Sequence, residues 1–141
     1  MSLTQISDVA VSGLLAQRAR MLVTASNLAN AQTTRTAEGG PYQRRDPVFA
    51  ARALEGPFAD RLARRLRSVE VPRVEIDPTP GPLRFDPGHP DADAEGYVRM
   101  PNVDLVAELA NLLTASRSFE ADLLALKKTR EMGEAALRIG R

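Results

Sequence analysis

Apolar residues recur every three or four positions at both ends of this chain and lose that rhythm in between. Near the N-terminus Ile6, Val9, Leu14, Met21, Leu22, Ala25, Leu28 and Ala29 fall at helical spacings, with Gln17, Arg18 and Arg20 on the intervening face; this is the period of an amphipathic helix. The pattern predicts a helix from Leu3 to Asn30, with Gly13 as a weak point because glycine loses the most backbone freedom on ordering. At the other end, positions 105, 109, 112, 116, 119, 123, 126, 130, 133 and 137 form a four-three series in which seven of the ten are Leu or Phe. That is the seam of a coiled coil sustained over about five heptads, interrupted by Ser116, Arg130 and Gly133. Pro101 stops the preceding segment, Asn102 is the expected N-cap, and Asp104 places negative charge in the first turn, where the helix dipole favours it. A helix from Val103 to Ile139 spans roughly 55 Å at 1.5 Å per residue. Val106, Ala110, Leu113 and Leu124 add apolar surface beside the seam, more than one partner helix covers.

The middle is different. All ten prolines lie between Pro41 and Pro101, which confines helix-breaking residues to that stretch and leaves the two arms free of them. SVEVPRVEID, residues 68–77, alternates Val69 and Val71, then Val74 and Ile76 across Pro72, and predicts an edge strand or a bent hairpin strand. Asp46-Pro47, Asp77-Pro78 and Asp86-Pro87 predict turns, and Pro80-Gly81-Pro82 excludes regular structure. A short helix is expected from Pro57, exposing Arg61, Arg64, Arg65 and Arg67. The chain therefore divides into an N-terminal helical arm, 1–36, a middle of loops and short strands, 37–101, and a C-terminal long helix, 102–141.

Composition narrows the function mainly by exclusion. With 19 basic and 18 acidic residues the net charge is +1, so no global field draws nucleic acid or an anionic membrane. The absence of cysteine rules out a disulfide scaffold, a thiolate zinc site and a cysteine nucleophile. A basic, then apolar, secretory leader and a membrane-length apolar run are both missing, so the expectation is a chain without membrane insertion that leaves the cytoplasm, if it does, by another route. The densest constellation, DPGHPDADAEGYV at 86–98, holds Asp86, the single histidine His89, Asp91, Asp93 and Glu95. Read from Asp91 it opens like a calcium loop, but the ninth and twelfth positions are Arg99 and Asn102 rather than ligating acids. Acids that cap their own turns are the favoured account. One histidine leaves too few ligands for zinc, the serines lack an activating partner, and the arginines at 61–67 read as a solvated face. No catalytic, cofactor or metal site is expected. Two amphipathic arms without a site between them suit an interaction or structural protein.

Two blocks carry a resemblance. SGLLAQRARMLVTASNLANAQTTRTAEGGPYQRRDPVF, residues 12–49, is similar to the N-terminal signature of bacterial flagellar basal-body rod proteins, and FDPGHPDADAEGYVRMPNVDLVAELANLLTASRSFEADL, residues 85–123, resembles their C-type proximal rod form. The resemblance implies a non-enzymatic rod subunit passing motor torque across the periplasm, exported without a cleaved signal by the flagellar type III apparatus. It also implies a mainly α fold, with long terminal helices pairing as a coiled-coil-like hairpin and a small β- and turn-rich outer domain. Its partners would be copies of itself, neighbouring rod subunits and the rod base adapter. The alternatives are another rod or hook-junction subunit of the same axial family, or a stand-alone coiled-coil adaptor.

In that setting Leu14, Leu22, Asn27, Leu28, Asn30, Leu105, Leu109, Leu112, Phe119, Leu123 and Leu126 are the expected core and subunit-interface residues. Asp86, Pro87, Gly88, His89, Pro90, Asp91, Gly96 and Tyr97 form the expected structural loop signature. Asn27 and Asn30 are poor interior helix formers. They are expected to be buried and paired, fixing one register because a slip leaves amide donors unmatched. The arms are expected to order only on assembly, because a free copy leaves apolar faces uncovered.

Overall fold

The structure is a computed structural model that describes residues 3–53 and 67–139. The expected helix from Pro57 lies outside the described residues. Its flanks are strands: residues 51–53 end one, and Arg67 opens the next.

In chain order the elements are α1 (Leu3–Ala29), β1 (Arg45–Ala53), β2 (Arg67–Ile76), β3 (Leu83–Phe85), β4 (Tyr97–Arg99) and α2 (Leu105–Ile139). Two long helices thus enclose, in sequence, two small two-stranded sheets, β1 with β2 and β3 with β4. Two expectations are corrected here. Asp46-Pro47 is not a turn but the second and third residues of β1; the residue before proline is pushed to extended geometry, and a two-stranded ribbon has edges that tolerate a missing amide donor. The N-cap of α2 is Asp104 rather than Asn102: its Oδ1 accepts from the backbone amides of Val106 at 2.9 Å and Ala107 at 3.2 Å. Asn102 is engaged elsewhere, as described below, so α2 begins at Leu105. Pro72 sits exposed within β2, which continues through it.

The chain forms two compact units. The first combines Met1–Ala19, Val48–Arg73 and Thr114–Arg141. In it Ala16, Ala115 and Leu126 are buried, and a Cβ on Gly13 would come within 2.9 Å of the Asp122 carboxylate, so this glycine allows α2 close to α1. Ser12 Oγ donates to the Val9 carbonyl and accepts from the Val69 amide at 3.0 Å, fastening β2 to α1.

The second unit combines Arg20–Pro47 and Val74–Leu113. Here α1 and α2 run antiparallel, with Arg20 donating to Asn111 and Asn27 to Glu108. β3 and β4 pair antiparallel with Leu83 opposite Arg99 and Phe85 opposite Tyr97. The Phe85 and Tyr97 rings meet edge to face at 5.2 Å. Gly96 has φ +85°, and a Cβ there would lie 3.0 Å from the Phe85 ring, so glycine is required at this turn.

The inward face of α2 keeps the four-three spacing, but it is turned from the expected seam. Positions 112, 119, 126 and 133 are shared, whereas the alternate members are 108, 115, 122 and 129 instead of 109, 116, 123 and 130. Those inward positions hold Glu, Ala, Asp and Thr. Leu105, Leu109 and Leu123 stand exposed. On α1 the buried residues are Ala16, Thr24 and Asn27, while Val11, Leu15 and Leu22 are exposed.

Candidate functional site

The most enclosed polar cluster gathers around Asn27 in the last turn of α1. Asn27 and Glu108 are each only 1% exposed. The Asn27 amide nitrogen donates to the Arg45 carbonyl at 2.8 Å and to Glu108 Oε2 at 3.1 Å. Its oxygen accepts from the Tyr42 hydroxyl at 2.9 Å and from the Arg45 amide at 3.0 Å. Two donors and two acceptors exhaust what a side-chain amide can make. Glu108, in the first turn of α2, receives the Arg44 Nε on its other oxygen at 2.7 Å. Arg44 also pairs with Asp46. Burial disfavours the guanidinium charge, but Glu108 and Asp46 outweigh it and hold the Arg44 pKa above its ordinary value.

The clasp extends into the loops. Asn102 Oδ1 accepts from the Arg44 amide at 2.7 Å, and its nitrogen donates to the Asp77 carbonyl at 3.2 Å. Asp77 donates its own amide to the Arg44 carbonyl. The turn signal at Asp77-Pro78 is thereby joined to both helix ends. Asn30, half-buried, has a different job: its nitrogen bonds the Ser26 carbonyl and its oxygen accepts from Thr33, closing the helix end and starting the Thr-rich loop.

The loop signature forms a second cluster. His89 Nδ1 accepts from the Asp91 amide at 3.1 Å, and Asp93 Oδ1 accepts from the amides of Glu95 and Tyr97. Asp91 receives the Thr34 hydroxyl at 2.7 Å and pairs with Arg35 at 3.7 Å. These acids cap turns and fasten the loop to the TTRT segment. Among the described residues no group of three or more His, Cys, Asp or Glu is placed to hold a metal ion. A cleft of about 390 Å³ lies between Glu38, Tyr42, Arg45, Thr79, Arg99 and Asn102. Among the described residues no helix is long and apolar enough to cross a membrane.

Of the residues expected from sequence, Asn27 is fully enclosed, Leu126 is buried, and Leu14, Leu28, Leu112 and Phe119 are half-buried. Leu22, Leu105, Leu109 and Leu123 face out of the chain. Glu108, Arg44 and Tyr42 do not stand out in the sequence, and Asn102 does so only as an N-cap. The available signal was a lone glutamate one position off a leucine seam, and periodicity treats such a residue as surface.

The family scan matches residues 8–35 to the flagella basal body rod protein model and residues 94–139 to the flagellar basal body rod FlgEFG protein C-terminal model. The flagellar basal-body rod protein FlgC of Yersinia enterocolitica is 41% identical over 99% of both chains. FlgC of Borreliella burgdorferi is 40% identical over 99% of this chain and 98% of its own, and that of Escherichia coli O6:H1 is 40% identical over 99% of both. The chain belongs to the FlgC family of flagellar rod proteins. Both matched blocks contain a half of the clasp, with Asn27 in the first and Asn102 and Glu108 in the second.

Proposed function

We propose that this FlgC-type chain polymerises through its terminal helices, paired as a coiled-coil-like hairpin, to build the proximal part of the rod that carries motor torque. It is a structural subunit of the flagellar rod with a non-enzymatic role in motility. In this proposal residues 1–36 and 102–141 form the polymerising core, and residues 37–101 form the outer domain. The partners are copies of itself, neighbouring rod subunits and the rod base adapter. The chain reaches them across the periplasm through the type III export apparatus.

The observation that carries the assembly reading is the display of large apolar residues on both helices. Val11, Leu15 and Leu22 on α1, and Leu105, Val106, Leu109, Leu113, Leu123, Leu124, Met132 and Leu137 on α2, are all exposed in the single chain. Large apolar side chains exposed repeatedly along a helix mark an interaction face. Each such side chain covered by a neighbour contributes roughly 1.5–3 kcal/mol, enough for several together to hold a loaded shaft. The test is Leu123→Asp expressed in place of the natural chain. Expected is a folded subunit at normal level, no rod in purified basal bodies and no swimming. Complete rods carrying the aspartate overturn the assembly surface.

A further inference from the structure

In the first turns of α2, the charged residue faces its own chain while Leu105, Leu109 and Leu113 face away and Leu112 is half-buried. Glu108 is buried, whereas Leu105, Leu109 and Leu113 are exposed and Val106 is 77% exposed. Removal of apolar surface from water favours the opposite arrangement. With about 100° between successive residues, a turn of about 80° about the helix axis brings Leu105 and Leu109 inward and swings position 108 to the flank. Along the same continuous helix, Arg20 bonded to Asn111 at 3.2 Å and the fully buried Ala115 also favour the observed phase. At the first turn itself the rotation is opposed by the clasp: Glu108 would lose Arg44 at 2.7 Å and Asn27 at 3.1 Å, and Asn27, already fully paired, has no alternative acceptor on a leucine.

We infer that the Asn27–Glu108–Arg44 clasp is a phase lock, which holds the start of α2 rotated so that its leucines are presented outward. The lock acts in the isolated chain. Its use, keeping the apolar stripe available to neighbours instead of collapsing it onto α1, rests on the function proposed above. Three segments distant in sequence must meet to close it: the end of α1, the loop entering β1, and the first turn of α2. The stripe is therefore set only in a subunit whose second unit has folded. Asn27, Glu108 and Arg44 act as positioning residues for an interface that they do not enter.

The chain has no cysteine, so single introduced thiols report cleanly. Thr24→Cys, nearly isosteric, marks the inward face of α1, where Thr24 is buried, and Leu109→Cys marks the outward face of α2. Each is placed in the full-length chain and reacted with a maleimide at a dilution that keeps it monomeric, with and without Glu108→Ala or Asn27→Ala. With the clasp intact, the thiol at position 109 is expected to react at least about 10-fold faster than the thiol at position 24, as protection scales with local opening. In either alanine background the outward thiol is expected to slow about 10-fold while the inward one stays protected, the signature of a turned helix rather than a lost one. An outward thiol that remains fast beside a slow inward one overturns the lock. Both thiols fast in the alanine variants makes the clasp a stability element only and also overturns it. Both fast without any alanine change means that the clasp does not close in the free chain, which overturns the lock as well. Because no filament enters the measurement, failure of the lock and failure of the assembly surface are read separately.

Discussion

The inner and outer faces of α2 divide burial and apolar surface unequally: a glutamate is enclosed at its start while large leucines stand exposed. Facing its own chain, α2 presents Glu108, Ala115, Leu126 and Gly133, all buried, with Leu112 and Phe119 half-buried; facing away, it presents Leu109, Leu113, Leu123 and Leu124. The inner face joins apolar packing to a specific polar clasp, and the outer face is apolar but uncovered. In a free-standing globular domain the core is the apolar side. Where so many large apolar residues stand exposed as well, the chain is only part of the unit that buries the hydrophobic surface. Direction within the subunit is set by polar bonds, and strength is left for contacts between subunits.

The contrast breaks most completely on the outer face. Leu109→Asp or Leu123→Asp is expected to abolish rod assembly, because a neighbour must bury an unpaired charge, yet to shift monomer stability by less than about 0.5 kcal/mol, as exposed substitutions do. Leu112→Asp, at a half-buried position, is expected to lose both assembly and monomer stability; thermal melts beside basal-body purification separate the two cases. On the inner face, Asn27→Ala strands the Arg45 backbone groups and one Glu108 oxygen, and about 2–4 kcal/mol of stability should vanish in urea titration. Gly96→Ala should cost about 1–3 kcal/mol through its positive φ and the Phe85 ring, leaving the clasp untouched.

The smaller effects sharpen the comparison. Thr79 holds the Asp77 carboxylate, and Lys128 the Glu131 carboxylate, below the usual carboxylate range. Their contribution is in place above the unfolded carboxylate values of about 4 and is lost as pH falls through the lower folded values. Asp77→Asn should therefore narrow its melting-temperature gap to the unaltered chain as pH drops below about 4. His89→Ala removes one acceptor from a loop turn and should leave swimming nearly intact, with a loss of about 0.5–1 kcal/mol at most. Loss of motility at normal protein level would give the histidine a role beyond the turn.

Both helices were legible in the sequence because a 3.6-residue rhythm survives whatever packs against it, and because proline is absent from the arms. β2 was legible through its alternation. β1 was not, since Asp46-Pro47 carries the same local signature in a turn as in an edge strand, and only the pairing partner distinguishes them. Asn102 was a reasonable N-cap by type, but Arg44 and Asp77 competed for its amide and Asp104 took the cap.

The expectation that the arms order only on assembly meets a specific counterweight in the clasp, which ties the end of α1 to the start of α2 within one chain. By itself the sequence determined where helices run, which residues repeat on them, that cysteine chemistry is absent, and, through two long motifs, the family. Only the tertiary structure decided which side of α2 faces home. Periodicity defines a stripe by its apolar residues, and the chain's own packing here selected the neighbouring stripe through hydrogen bonds between residues 81 positions apart. No local pattern encodes such a bond, because it exists only when three separated segments converge.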